Sequence, residues 1–505
     1  MSGTPEVPQG HLHVEVRSAY ADSVALLQVS REVAASPGVQ AAQVAMGTPL
    51  NLEVLTGMGF DVPACSPNDM VVALRLDSED QLPTALAAVT AALAATTGGR
   101  AATAGQTVAP RTTASALRRS GAELALVSVP GSHAMVEAID ALDADRDVMV
   151  FSDNVPVEQE VALKRLASER GLLVMGPDCG TAVVGGVGLG FANVTEPGEV
   201  GIVAASGTGC QQLMCLLAAA GVGVGAALGV GGRDLSAAVG GISTREALRR
   251  LDEDPSISRV VVVSKPPAAE VASALEEYAA GLSTPVDFAL LGSGRPDLTS
   301  AAESLLSAMG RSVPDWPTWG SAGRDHAVGT GHLRGLFVGG TLCDEAMLVA
   351  AERLGPVLSN IPLSEELRAP SDLTGLAEHV MIDFGDDEMT QGRAHPMIDP
   401  TLRLEHLARA AADPTTGVVL LDVVLGHGAE PDPAALLGPA ITDAIGTAQA
   451  QGRSLPVVVA CVGTEHDPQG LTRQARVLAE AGAEVHLSNA RAAARAVELV
   501  AGVAR

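Results

Sequence analysis

The chain has 505 residues, too many for one hydrophobic core, and domains of roughly 100 to 200 residues predict about three or four of them. With 59 acidic against 32 basic side chains its formal charge is −27, a field that repels nucleic acid and anionic membrane, so neither is expected as a partner and an anionic substrate must be held by local groups. The cysteines, Cys65, Cys179, Cys210, Cys215, Cys343 and Cys461, form no CxxC pair and no zinc-ligand spacing, which predicts free thiols in a reducing compartment and no metal. The opening MSGTPEVPQGHLHVEV is polar and lacks an apolar leader core, so the cytoplasm is the expected location.

Residues 1–95 alternate strand-like and helix-like stretches: HLHVEV, the amphipathic ADSVALLQVSREVAA, VQAAQVAM, MVVALRL, and an alanine-rich helix from Gln81. They predict a small α/β module, of ferredoxin-like type. Residues 96–113, rich in Gly, Thr and Ala without an apolar period, read as a linker. From residue 114 the pattern is strictly βαβ. One unit spans 114–197, with ELALVSVP, DVMVFSD and LLVMGPDCG as strands, and a second spans 198–310, with VGIVAAS, GAALGVGG, RVVVVSKP and VDFALLG. A Pro- and Trp-containing linker at 311–332 leads to a third unit, 333–505, built on RGLFVGG, HVMIDFG, VVLLDVVLG, PVVVACVG and AEVHLS. Continuously apolar strands separated by helices predict several doubly wound parallel sheets of Rossmann or flavodoxin type, with ligands at the carboxyl ends of their strands. The apolar stretch 216–232 is broken by glycines at 221, 223, 225 and 229 and reads as a helix end, a turn and a buried strand rather than a membrane span.

Two strand–loop–helix junctions invite an anion. Ser206, Gly207, Thr208 and Gly209 follow a buried strand, and Gly426, His427, Gly428 and Ala429 follow another, with a helix expected near Asp432. Helix-start N–H groups and the helix dipole favour phosphate at such places, although a capping turn without a ligand looks the same in sequence. His427 is either a nucleophile or a solvent-facing loop residue. In IDFGDDEMTQGRAHPMIDPTLR, Arg393 either clamps a substrate carboxylate or pairs with Asp386 or Asp387, while His395 either offers a proton to a departing nitrogen or hydrogen-bonds the carbonyl oxygen, unless Pro396 and Pro400 simply shape a loop. Arg233, beside Asp234 at another strand end, is a further candidate. Cys179 has no histidine near it in sequence and reads as a buried thiol.

The segments EVGIVAASGTGCQQ, GVGGRD and VPVEQEVALKRLASERGLLVMGPDCGT resemble the succinyl-CoA synthetase α subunit. The segments GLFVGGTLCDEAMLVAAERLG, DVVLGHGAEPDPA and PVVVACVGTEHDP resemble the carboxyl-terminal domain of its β subunit. The order FSDNVP, MGPDCGT, GGRDLS, VSKPP and GRAHPMIDPTLR is similar to FdrA proteins over nearly the whole length. This resemblance makes 114–197 a CoA-binding-like Rossmann domain, 198–310 a synthetase-like flavodoxin domain and 333–505 a β-subunit-like domain. It implies phosphate held between Ser206, Gly207 and Thr208 on one side and Gly426, His427 and Gly428 on the other.

The departures are equally specific. LLGSGRPDLTSAAESLLSAMG contains no histidine where the synthetase carries its phosphohistidine, no ATP-grasp domain precedes residue 333, and the Gly-rich first half of the CoA pocket has no counterpart. No cofactor is therefore expected with assurance, CoA included. The FdrA resemblance implies a carbamoyltransferase subunit in ureide breakdown, exchanging phosphate and oxalurate with carbamoyl phosphate and oxamate, working with further subunits and as a homo-oligomer. An acyl-CoA synthetase subunit and a non-catalytic ligand-binding scaffold are the alternatives.

Overall fold

Period-two alternation organises the first sheet. The computed structural model describes residues 10–98, 110–320, 331–390 and 393–501; most of the first expected linker and half of the second lie outside them. β1 (His11–Arg17), α1 (Ser23–Ala34), β2 (Val39–Met46), α2 (Pro49–Gly57), β3 (Met70–Leu76) and α3 (Leu82–Gly98) follow in order. The strands pair antiparallel in the order β1-β3-β2. On β3, Met70, Val72, Leu74 and Leu76 pack with Leu26, Val29 and Val33 of α1 and Val89 of α3. Val71 and Ala73 point the other way, onto Leu55 and Phe60, so both faces of the central strand are buried. Residues Asp386–Leu402 belong to this same compact unit, and Arg31 Nη2 donates to the Ile398 carbonyl at 3.3 Å.

The second unit, Pro110–Gly385 with Arg403–Arg505, holds the parallel sheets. α4 (Thr113–Ser120), β4 (Leu124–Val127), α5 (Gly131–Leu142), β5 (Asp147–Val150), α6 (Val157–Glu169) and β6 (Val174–Met175) make a three-stranded parallel sheet, β4-β5-β6. β7 (Thr181–Val184), β8 (Val187–Gly190), β9 (Val200–Ala205), α7 (Gly207–Ala219), β10 (Val224–Gly229), α8 (Ile242–Glu253), β11 (Arg259–Ser264), α9 (Ala269–Ala279), β12 (Val286–Leu290) and α10 (Leu298–Ala308) come next. Their sheet runs β12-β11-β9-β10-β7-β8, parallel except for the β7–β8 hairpin at one edge. The apolar stretch 216–232 is, as read, the end of α7, a turn and β10.

A buried ion cluster ties these sheets together. Lys164 of α6 is fully buried and donates to Glu160 Oε1 at 2.8 Å, Asp234 Oδ1 at 2.7 Å and the Val230 carbonyl at 2.8 Å. Asp234 also accepts from the Thr244 hydroxyl and from the N–H groups of Ser243 and Thr244 at the start of α8. Desolvating an ammonium and two carboxylates is costly, and full pairing is what makes the arrangement tolerable.

The last sheet is built from β13 (Thr318–Trp319), β14 (His332–Phe337), α11 (Gly340–Leu354), β15 (Val357–Ser359), β16 (His379–Asp383), α12 (Asp387–Thr390), α13 (Thr401–Ala412), β17 (Thr416–Val424), α14 (Pro433–Ala450), β18 (Val457–Val462), α15 (Leu471–Glu480), β19 (Glu484–His486) and α16 (Asn489–Ala501). α12 and the first two residues of α13 fall in the first unit. The strand order is β13-β19-β18-β17-β14-β16-β15. The described part of the expected 311–332 linker is docked: Trp316 is buried with its Nε1 donating to Glu303 at 2.7 Å, and β13 pairs antiparallel with β19.

Replacing Lys164 by Met leaves Glu160 and Asp234 buried without their cation. The expected loss is about 3–5 kcal/mol, read as a lower urea midpoint, and adding Glu160→Gln and Asp234→Asn should recover much of it.

Candidate functional site

Each large sheet reverses its strand order beside one strand. β9 lies between β10 and β11, and β14 lies between β16 and β17. Open sheets bind ligands in the crevice at that reversal, beyond the carboxyl ends of the strands. α7 leaves β9 through Ser206 and α11 leaves β14 through Gly339, and the two helix starts meet. Ser206 Oγ accepts from the Gly209 N–H at 2.9 Å and donates to Thr341 Oγ1 at 2.6 Å. A Cβ on Gly339 would sit 2.9 Å from the Thr208 side chain, so no larger residue fits this approach without displacing it. The first-turn N–H groups of Gly207, Thr208, Gly340 and Thr341 have no partner within their helices, and both dipoles place their positive ends in the same crevice.

Lys265 follows β11 directly. Its Nζ lies 3.3 Å, and Asp383 Oδ2 at the end of β16 lies 2.7 Å, from where a Cβ on Gly340 would stand. An ammonium, the Asp383 carboxylate, two helix starts and the hydroxyls of Thr208 and Thr341 thus gather at one crevice, and its N–H, hydroxyl and ammonium donors are of the kind an anion of phosphate type takes.

Gly426, His427, Gly428 and Ala429 lead to α14, which begins at Pro433 behind Asp432, where the helix was expected. There the Ala434 N–H already donates to Gln474 and Asp432 is held by Arg473 and Gln474. The loop instead rests on the segment after β8: the His427 N–H donates to the Ala192 carbonyl at 2.8 Å, Gly428 abuts Phe191, and the His427 side chain is exposed. The helix start in contact with 206–209 is that of Gly339, Gly340 and Thr341. Its sequence signal was the apolar RGLFV followed by Gly-Gly-Thr and a helix, and Lys265 stood in the SKPP segment.

The other expected residues fare as follows. Arg233 pairs with Glu160 at 3.0 Å and with the Val155 carbonyl at 2.8 Å, bracing the Lys164 cluster. Arg393 and His395 both stand on the segment belonging to the first unit. Burial pushes the His395 imidazole down to about 4 and its Nδ1 accepts from the Met397 N–H at 3.2 Å, so the ring is uncharged near neutral pH and its N–H is on Nε2. Arg393 pairs neither with Asp386 nor with Asp387; Asp399 faces it at 3.9 Å. The Cys179 thiol is buried and pushed up to about 12 by desolvation, inert as expected.

Buried carboxylates hold α11 in place. Asp422, on β17, accepts from the N–H groups of Val338 and Gly339 at 2.8 and 2.9 Å, pairs with Arg403 at 3.1 Å, and is pushed up to about 6 by burial. Asp344 is also raised to about 6 by burial, although Lys265 pulls the other way. Glu345, on the same helix, accepts from the Leu298 N–H at 2.6 Å and Asn489 Nδ2 at 2.7 Å, and desolvation raises it to about 7. Gln212 of α7 joins this network by accepting from the Asn489 N–H at 3.0 Å.

Fold and crevice together define a CoA-ligase-like α/β protein. The family described as CoA-ligase matches residues 336–499, and one described as AllF, heavy metal-associated domain, matches residues 10–110. YahF of Escherichia coli (strain K12), named as an uncharacterized protein, is 36% identical over 487 residues, covering 92% of this chain and 94% of its own length. The chain belongs to the same family, which is of the CoA-ligase-like FdrA/AllF type. The succinate–CoA ligase [ADP-forming] subunit alpha of Staphylococcus epidermidis is 29% identical over 173 residues, 34% of this chain and 54% of the subunit, so this chain spans about half of that relative. A dinucleotide-forming acetyl-coenzyme A synthetase of Ca. Korarchaeum cryptofilum matches at 18% identity over 76% of this chain and 85% of its own, with a TM-score of 0.29.

Among the described residues, no ligand set fits the metal in the name of the N-terminal family. Residues 10–110 carry the single thiol Cys65, the β1–α1 connection Ser18–Asp22 holds neither Cys nor His, and no group of three His, Cys, Asp or Glu side chains able to hold an ion occurs among the described residues.

Glu345 carries a pH dependence with a definite sign. Its folded pKa lies above the ordinary 4.5, so its contribution is fully present below about 4.5 and is lost as pH rises through about 7. Glu345→Gln keeps the shape and the acceptor oxygen without the charge. The variant should match wild type near pH 4 and exceed it at pH 8 by up to roughly 3 kcal/mol, measured by urea unfolding at both pH values.

Proposed function

We propose that this chain is a CoA-ligase-like enzyme subunit that holds a phosphate or acyl-phosphate group between the starts of α7 and α11. The observation carrying this reading is the 2.6 Å contact of Ser206 with Thr341, which aims two helix starts at one crevice beside Lys265. In such a site the phosphoryl oxygens take N–H donors from both helices while Lys265 offsets charge that grows as an acyl phosphate is cleaved or formed. The family match over 336–499 favours acid–CoA ligation as the reaction class.

Carbamoyl transfer is the second reading: phosphate attacks the carbamoyl carbon of oxalurate, oxamate leaves, and carbamoyl phosphate remains. It is favoured by residues 290–310, which contain no histidine to relay a phosphoryl group. Either reaction takes further subunits to complete the site. Acyl-CoA formation and phosphate-dependent carbamoyl phosphate formation from oxalurate, each assayed with and without co-encoded proteins, separate the two.

Two outcomes test the shared core of these readings. Phosphate should raise the melting temperature of wild type, and Lys265→Met should weaken that binding about 10- to 100-fold, the loss of one charge-assisted contact. An equal rise in both proteins would remove Lys265 and this crevice from the function. Incubation with γ-labelled ATP should leave no acid-labile phosphate on the chain; labelling would restore a phosphoenzyme relay and decide for the ligase.

A further inference from the structure

Asp344 is a carboxylate beside the α7–α11 crevice that the donor set described above does not use. It stands one turn after Gly340 on α11, on the same face of the helix, and helical side chains lean toward the turn before their own. Gly340 has no side chain to block that path. The place its Cβ would take has Asp383 Oδ2 at 2.7 Å and Lys265 Nζ at 3.3 Å, and Lys265 acts on the Asp344 charge as well. Asp344 is only 7% exposed, and its carboxylate accepts no hydrogen bond among the described residues. The neighbouring carboxylates differ in this respect: Asp422 takes two N–H groups and Arg403, Glu345 takes Leu298 and Asn489, and Asp383 takes the Gly385 N–H. A buried carboxylate without donors is costly as an anion and far less so as an acid, whose proton then calls for an acceptor.

An oxyanion at the two helix starts is such an acceptor. Its arrival adds negative charge beside Asp344, which disfavours the carboxylate and favours the acid. Burial already raises the group to about 6 against the pull of Lys265, so a further rise on binding means that a proton is taken up between about pH 6 and 8. The other charged and titratable groups toward this corner are Lys265 after β11, Asp383 on β16 and Asp422 on β17, with Glu345 and the Cys343 thiol, pushed up by burial, on α11 itself. Of the remaining elements packed on α11, β15 and α7 carry no charged side chain, and the α7 thiols Cys210 and Cys215 are raised by burial. Arg334 of β14 is turned to the Leu376 and Glu378 carbonyls, and Arg491 and Arg495 of α16 are held by Glu303 and Glu484.

We propose that Asp344 is itself a ligand of the bound anion, donating the proton of its acid form to a phosphoryl oxygen, so that the crevice takes up a proton together with each oxyanion. The proposal rests on the anion reading of the crevice and adds a regulation to it: affinity for phosphate-type groups follows pH through one side chain. An asparagine at this position would donate an N–H from the same place at every pH.

Calorimetric titration of the full chain with sulfate tests it, because sulfate, unlike phosphate, does not titrate in this range. Wild type should bind sulfate about tenfold or more tightly at pH 6 than at pH 8, and titrations at pH 7 in buffers of different ionisation enthalpy should show roughly half to one proton taken up per sulfate. Asp344→Asn should bind at pH 8 about as tightly as wild type does at pH 6, with a flat profile and no proton uptake. Far-UV circular dichroism establishes that the variant is folded; if it is not, Asp344→Ala decides, loss of the proton uptake supporting the proposal and its retention overturning it. Equal proton uptake in wild type and Asp344→Asn would assign the proton to another group, Asp422 first, and overturn the proposal. Sulfate binding to wild type that does not change with pH would do the same while leaving the crevice reading in place. No sulfate or phosphate binding to wild type at either pH, or binding untouched by Lys265→Met, removes the crevice reading itself and the proposal with it.

Discussion

Two helix starts of the same polarity are held against each other, and that is an electrostatic demand before it is a binding site. α7 and α11 each bring a positive end to the Ser206–Thr341 contact, and like ends do not adjoin without compensation. The second unit supplies some of it from below: Asp422 receives the two N–H groups leading into α11, and Asp383 and Asp344 stand around its first turn. Lys265 then restores positive charge on the open side. The remaining demand faces the crevice, where an anion is the natural answer.

The architecture was legible because it follows from periodicity. The apolar runs at 200–205, 259–264, 418–425 and 457–462 had no polar alternation, and all became central parallel strands. The junction at 206–209 was legible for a similar reason, since Ser206 followed by small residues after a buried strand is a local signature. Its partner was not. Ser206 and Thr341 are 135 positions apart, and no local signal joins Gly339-Gly340-Thr341 to the 206–209 junction. The lowered pKa of His395 was not legible because residue type sets only an ordinary value, while the value in place depends on burial.

The same distinction separates family resemblance from chemistry. The chain aligns with YahF over 92% of its length and matches the CoA-ligase family over 336–499, yet no group able to hold a metal ion occurs among its described residues, and its 290–310 segment lacks a histidine.

The discontinuous first unit also has a temporal side. Asp386 follows Ala109 by 277 positions (386 minus 109), and at roughly 5–20 residues per second a ribosome takes about a quarter of a minute to a minute to cover them. During that interval the first sheet and its helices have been synthesised, but Arg393, Asp399 and the carbonyl that receives Arg31 do not yet exist. The part of the chain made first is therefore completed only after most of the second unit has emerged, and any fragment ending before residue 386 contains the module without its last segment.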